Sequence, residues 1–166
     1  MIRNDMQRKV KVLMICHGNI CRSTMAQSIF TYLINKQGLA DLFYVDSAGT
    51  SREEIGNSVH YGTVARLKQA GIPVIPHRAV QMTKRDYAEY DFLIGMDTQN
   101  IRNMHRIVGG DPDGKIYKMM TFAGSGRDVA DPWWTGDFEA TYEDILEGCQ
   151  GLLRFILENF PNPEKQ

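Results

Sequence analysis

Val10-Lys-Val-Leu-Met-Ile-Cys-His-Gly-Asn-Ile-Cys-Arg-Ser23 changes character halfway along. Val10 to Ile15 is short and mostly apolar, the composition of a strand buried on both faces of a parallel sheet. The eight residues that follow hold Gly, Asn, two Cys and an Arg. Beyond them the spacing predicts a helix from about Arg22 to Lys36. Ser23 and Thr24 stand near its start, Met25, Ala26, Ile29, Phe30 and Leu33 share one face, and Gly38 stops it. A tight loop between a strand end and a helix start turns several backbone N–H groups inward. Together with the helix dipole they form an anion site.

The same alternation runs outward from this segment. Leu42–Asp46 reads as a second strand, Thr63–Ala70 as a helix ended by Gly71 and Pro73, and Tyr90–Met96 as a third strand. Thr98–Ile107 reads as a helix, Gly109–Gly114 as dense turn chemistry and Lys115–Met119 as a fourth strand. Tyr142, Ile145, Leu146, Cys149, Leu152, Leu153, Ile156 and Leu157 step by three and four along a closing helix, with Pro161 ending it. Strands alternating with helices predict an α/β fold, a four-stranded parallel sheet flanked by helices on both faces (doubly wound). Residues 10–160 form this single domain, after a polar extension over 1–9 and before a tail over 161–166. In such sheets ligands bind beyond the carboxyl ends of the strands.

Composition narrows the function. The 166 residues carry 19 basic and 20 acidic side chains, a formal charge of -1, which excludes the basic footprint of a dedicated nucleic-acid binder. A chain of this length builds a core without metal or disulfide support. Three cysteines cannot form a complete disulfide framework, and free thiols point to a reducing cytoplasm. No apolar run nears the roughly 20 residues that span a bilayer, and Val12–Cys16 is too short for a signal-peptide core. The expectation is a cytoplasmic protein with no membrane partner.

The loop carries the chemistry. Gly18 and Asn19 are the residues there that tolerate a left-handed backbone. Arg22 has the planar fork that grips two phosphate oxygens. A thiol at Cys16, facing the loop donors and the helix start, is expected to ionise readily, with the Ser23 hydroxyl as a further donor. The result is a nucleophile beneath a bound phosphoryl group. Cys21 either fills space or acts as a resolving thiol for an oxidised Cys16. Cys16, His17 and Cys21 lack the fourth ligand that zinc needs, and no Walker-type G-x4-G-K-[ST] motif exists. Cys149 reads as a small apolar core residue, His60 and His105 as surface or capping residues, and Lys84-Arg85-Asp86 as a solvated helix face.

The C-x5-R-S segment, in the form C-x-G-N-x-C-R-S after an apolar strand, resembles the signature of low-molecular-weight protein tyrosine phosphatases. Asp128-Val-Ala-Asp-Pro-Trp-Trp134 resembles that family's acid loop, Asp46-Ser-Ala-Gly-Thr50 its D-S-A-x-T segment, and Pro76-His-Arg-Ala79 the place of its buried histidine. Ile55-Gly-Asn57 matches as well, so the resemblance covers about residues 10 to 158. It implies the family's phosphotyrosine protein phosphatase I-like fold and hydrolysis of phosphotyrosine without cofactor or metal. Cys16 is then the nucleophile that forms a phosphocysteine, Arg22 holds the equatorial oxygens and Asp131 is the general acid and later base. His17, Gly18, Asn19, Ile20, Cys21 and Arg22 surround the phosphate. Asn19, Ser23, Ser47 and His77 match the supporting polar network, and Trp133 and Trp134 the aromatic wall. By its residues alone Asp131 is less distinctive, because Asp-Pro is a common turn and Asp111-Pro112 is another; the adjacent tryptophans suit an aromatic substrate. The implied partners are a phosphotyrosine protein, such as the tyrosine kinases on which small bacterial members act, and phosphate in the site.

Three positions depart from the family pattern. His17 replaces a small or apolar residue, Thr24 stands where proline is frequent, and Glu53 falls where several relatives place an aromatic wall residue, weakening ring stacking and repelling acidic peptides. Three rival functions remain. Arginine phosphatases on this scaffold carry threonine where this chain has Ile20, which crowds a guanidinium. A thiol-coupled arsenate reductase needs two further cysteines, and only Cys149 lies outside the loop. A non-catalytic phosphate-binding or redox-sensing module would need no acid at Asp131.

Overall fold

The computed structural model describes residues 8–160. Four strands form one fully parallel sheet in the order β2-β1-β3-β4: β1 Val10–Cys16, β2 Phe43–Gly49, β3 Phe92–Gly95 and β4 Ile116–Lys118. Helix α1 spans Arg22–Lys36, α2 Tyr61–Gln69, α3 Lys84–Glu89, α4 Thr98–Val108, α5 Pro132–Thr135 and α6 Phe138–Asn159. The doubly wound expectation holds. Pro161 and the tail over 161–166 lie outside the described residues, as do residues 1–7 of the N-terminal extension.

Alternation along β1 divides the core. Val12, Met14 and Cys16 face α1 and α6, packing with Met25, Ile29, Phe30, Cys149, Leu152 and Ile156. Leu13 and Ile15 face the other way, onto Leu93, Met104 and Val108. One seven-residue strand thus joins both apolar layers, because side chains on successive strand residues point to opposite faces. Cys149 is fully buried, as its helical spacing predicts.

Several boundaries differ from the sequence expectation. Residues 40–42 form a 3-10 turn, and β2 begins at Phe43 and continues through Ser47, Ala48 and Gly49. Small residues have little intrinsic strand preference; pairing against β1 over the whole register Val10–Phe43 to Cys16–Gly49 extends the strand. Strands β3 and β4 are shorter than Tyr90–Met96 and Lys115–Met119. Helix α2 starts at Tyr61, two residues early, because the His60 ring accepts from Gly62 N at 3.0 Å and caps it. Lys84-Arg85-Asp86 does form a helix start, but Asp86 accepts from Thr83 N at 2.8 Å in a capping box and is only partly solvated.

Candidate active site

At the carboxyl end of β1 the sheet order reverses between β2 and β3, the place where doubly wound folds bind ligands. The loop from Cys16 to Arg22 sits there. Asn19 takes the left-handed conformation, with φ 62°. Gly18, which tolerates that conformation as well, does not adopt it. Its lack of a side chain serves packing, since a Cβ there would stand 3.2 Å from Glu54 Cγ. Gly49, paired with Cys16 across the sheet, is the tighter glycine: a Cβ would meet His17 O at 2.8 Å.

The Asn19 amide holds the loop together. Its Nδ2 donates to Ser23 Oγ at 2.8 Å and Ser47 Oγ at 3.1 Å. Its Oδ1 accepts from Val80 N at 3.0 Å and lies 2.8 Å from His77 Nε2. An amide oxygen only accepts, so this nitrogen of His77 carries a hydrogen. Ser47 Oγ in turn donates to Gln27 Oε1 at 2.6 Å, and His77 Nδ1 is 3.7 Å from Asp46 Oδ1. Asn19, Ser23, Ser47 and His77 are therefore joined in one hydrogen-bonded network. Gln27 and Asp46 extend it.

Cys16 Sγ lies 3.1 Å from Ser23 Oγ and accepts from Ser23 N at 3.4 Å. Burial, with the Cys16 sulfur as the next influence, pushes the neighbouring Cys21 thiol up to about 12. Burial also pushes the Cys149 thiol up. The Thr24 hydroxyl donates to Ile20 O at 2.8 Å and Cys21 O at 3.1 Å, so the helix start tolerates threonine.

Arg22 is 2 % exposed, buried rather than at the rim. Its Nη1 donates to Asp97 Oδ2 at 2.7 Å and Val129 O at 2.9 Å, and Nη2 lies 3.4 Å from Asp131 Oδ2. Despite the burial that opposes its charge, the Cys16 and Asp131 charges and the Asp97 contact hold the guanidinium more firmly protonated than usual. Asp97 escaped the sequence reading. It caps α4, accepting from Asn100 N at 2.7 Å, and its second oxygen reaches Arg22 across 75 positions of chain. Its one sequence signal was an Asp at a helix start just beyond a strand end.

Asp131 caps α5 with Pro132 at the first helical position, its Oδ1 accepting from Trp133 N at 3.1 Å. A cavity of about 510 Å³ brings together Cys16, His17, Gly18, Ile20, Cys21 and Arg22 with Asp131, Trp133 and Trp134. Glu53, Glu54, Asp97, Gln99 and Asn100 complete its lining. His17 Nε2 lies 3.1 Å from Glu53 Oε2 at the cavity mouth. His60 stacks on Tyr61 and Phe138 and stands edge-on to Trp133, a role beyond capping. His105 is exposed. Among the described residues no group of three or more His, Cys, Asp or Glu is gathered as a metal site requires, and no helix is long and apolar enough to cross a membrane.

Known proteins resemble this chain in sequence and in fold. The family model for low molecular weight phosphotyrosine protein phosphatase matches residues 11–162. The low molecular weight protein-tyrosine-phosphatase YfkJ of Bacillus subtilis is 37% identical over 149 residues, covering 89% of this chain and 96% of the relative. Its crystal structure superimposes with a TM-score of 0.88 over 92% of this chain and 97% of that one. The human low molecular weight phosphotyrosine protein phosphatase is 32% identical over 89% of this chain and 96% of its own. The crystal structure of DARP, a Drosophila arginine phosphatase, is 30% identical with a TM-score of 0.81, covering 88% and 97% of the two chains. Matched along nearly its whole domain in sequence and in fold, the chain belongs to the low-molecular-weight protein-tyrosine-phosphatase family.

Proposed function

We propose that this enzyme hydrolyses phosphotyrosine through a phosphocysteine at Cys16. The convergence of the Cys16 sulfur, the Arg22 guanidinium and the Asp131 carboxyl group on one cavity carries the reading. The thiolate attacks phosphorus, and the P–O bond to the tyrosyl ring breaks. Asp131, protonated at that moment, gives its proton to the leaving phenolate. Water then attacks the phosphocysteine, Asp131 takes the water proton, and the S–P bond breaks to return the thiolate and release inorganic phosphate. Arg22 and the backbone N–H groups of the loop hold the equatorial oxygens, where charge accumulates. Because Nη1 is committed to Asp97 and Val129, the grip falls to Nε and Nη2. Asp97 is the positioning residue that aims the fork. Trp133 and Trp134 flank the phenyl ring.

Ile20, 8 % exposed in the cavity wall, supports a flat aryl substrate over a guanidinium. Purified enzyme offered p-nitrophenyl phosphate, a phosphotyrosine peptide, a phosphoarginine peptide and arsenate with thiol reductant tests the reading. The phosphotyrosine peptide is expected to give the highest kcat/KM of the two peptides. Preference for phosphoarginine overturns the substrate assignment, and no turnover of any phosphate ester overturns the enzyme. Asp131→Ala is expected to slow aryl phosphates with poor leaving groups by about 10²–10⁴-fold and good ones far less; equal slowing points to another acid.

Cys21, in the same wall as Cys16, supports a redox role. Peroxide oxidises the Cys16 thiolate to a sulfenic acid; the Cys21 thiol then displaces hydroxide, giving a disulfide and water. Reversible inactivation by peroxide, converted to irreversible loss in Cys21→Ser, is the expected result.

A further inference from the structure

Past the phosphate loop the cavity changes sign. Its mouth carries Glu53 and Glu54 from the segment after β2, and the indoles of Trp133 and Trp134 from α5. Trp133 is 54 % and Trp134 82 % exposed. Ser51 ties the glutamate segment down: its N and Oγ both donate to His17 O at 3.0 Å. Asn57 Nδ2 donates to Glu54 Oε1 at 2.7 Å, and Glu54 sits over Gly18. His17 meets Glu53, yet Glu54 has no cationic partner among the described residues. The one strong cation of the cavity, Arg22, lies beneath and is already paired with Asp97.

Carboxylates and open indole faces suit the same chemistry. Ammonium and guanidinium groups pair with carboxylates and are attracted to the face of an aromatic ring, tryptophan best. An acidic side chain meets like charge there, and an apolar one leaves the carboxylates unmatched. A cavity of about 510 Å³ also exceeds what one phenyl phosphate fills, which leaves room for a neighbouring side chain.

We propose that Glu53, Glu54, Trp133 and Trp134 are specificity-determining residues that select phosphotyrosine flanked by lysine or arginine. The proposal rests on the phosphotyrosine reading above and names its substrate class. The His17 contact orients Glu53, and the Asn57 amide orients Glu54, so the discriminating charges are held in place before a peptide arrives.

Phosphotyrosine peptides of one length, with Arg, Gln or Glu on both sides of the phosphorylated residue, test it. In wild type at low ionic strength, kcat/KM for the Arg peptide is expected to exceed that for the Glu peptide by about tenfold, since attraction at the exposed Glu53 and half-buried Glu54 carboxylates becomes repulsion. Added salt shrinks the ratio. Glu53→Gln with Glu54→Gln is expected to bring it to about two, a residue supplied by the indoles, and Trp134→Leu narrows the Arg-to-Gln ratio. Each ratio is internal to one protein, so a general loss of activity cancels. Glu54→Lys is the second variant, and it is expected to favour the Glu peptide. A wild-type ratio near one, or a ratio that the paired substitution leaves unchanged, overturns the proposal. If all three peptides are refused while p-nitrophenyl phosphate or phosphoarginine is hydrolysed, the phosphotyrosine reading itself has failed.

Discussion

The two loops that meet at the cavity are built on different terms. Apart from His17 and Gly18 the Cys16–Ser23 loop is buried, and every polar atom of the Asn19 amide has a partner. The loop that brings Asp131 is largely exposed, and its short helix hangs from backbone tethers. Val129 N donates to Met96 O at 2.9 Å, Thr141 Oγ1 to Ala130 O at 3.0 Å, and Asp128 accepts from Thr98 and Lys118. The Cys16 side is pre-organised, and the Asp131 side is positioned by fewer, weaker and more solvated contacts. Electrostatic stabilisation of a transition state demands dipoles fixed in advance, whereas a proton donor needs only to reach hydrogen-bond distance when substrate is present.

Substitutions break the comparison most sharply at the first loop. Cys16→Ser is expected to lower turnover by about 10⁴-fold or more while vanadate still binds, because the loop donors and Arg22 are untouched. Stopped assays beside vanadate titration check this; substantial residual hydrolysis contradicts the nucleophile assignment. Next come two glycines. Gly49→Ala drives a Cβ to 2.8 Å from the backbone oxygen of His17, which cannot move without the loop. Gly62→Ala meets the Phe138 ring, a side chain that can turn, though it packs on Ile20, Cys21 and Ala79. Both are expected to cost about 1–3 kcal/mol in stability. Only Gly49→Ala is expected to lower kcat beyond what its melting shift explains. Parallel thermal melts and kinetics decide, and similar kinetic losses for both would remove any special role for Gly49 beneath the Cys16 loop.

The smallest effect concerns the acid-loop tether. The Lys118 hydrogen bond is the main cause that holds the Asp128 carboxyl below the usual aspartate range, against a smaller opposing push from burial. A lowered folded value means stability present above the ordinary aspartate range and lost as pH falls through the lowered one. The gap in melting temperature between wild type and Asp128→Asn is expected to be small at neutral pH and to close in acid. Half the Asp128 side chain is exposed, so salt is expected to narrow it too.

Much of this was legible in the residues because the decisive contacts are local. Val12 to Ile15 is buried on both faces and reads so, while Val10 is half-buried and Lys11 exposed, and α1 runs from Arg22 to Lys36 as its spacing and Gly38 predict. Cys16, Asn19 and Arg22 lie within seven consecutive positions. What stayed hidden depends on distant partners. Ser47 to Gly49 become strand only because β1 lies alongside, and α5 is one turn long, too short for periodicity. Asp97 looks like any helix cap until the fold brings Arg22 to it. Gly18 has the flexibility that a strained loop exploits, yet Asn19 supplies the left-handed turn, because its side chain repays that conformation with four partners.

Strand β1 packs both apolar layers and ends at the sulfur. Displacing its last residues exposes the two halves of the interior together. Losing the position of Cys16 and collapsing the whole domain are therefore expected to be one event, and evolution could soften this end of the strand only by surrendering the molecule's midline.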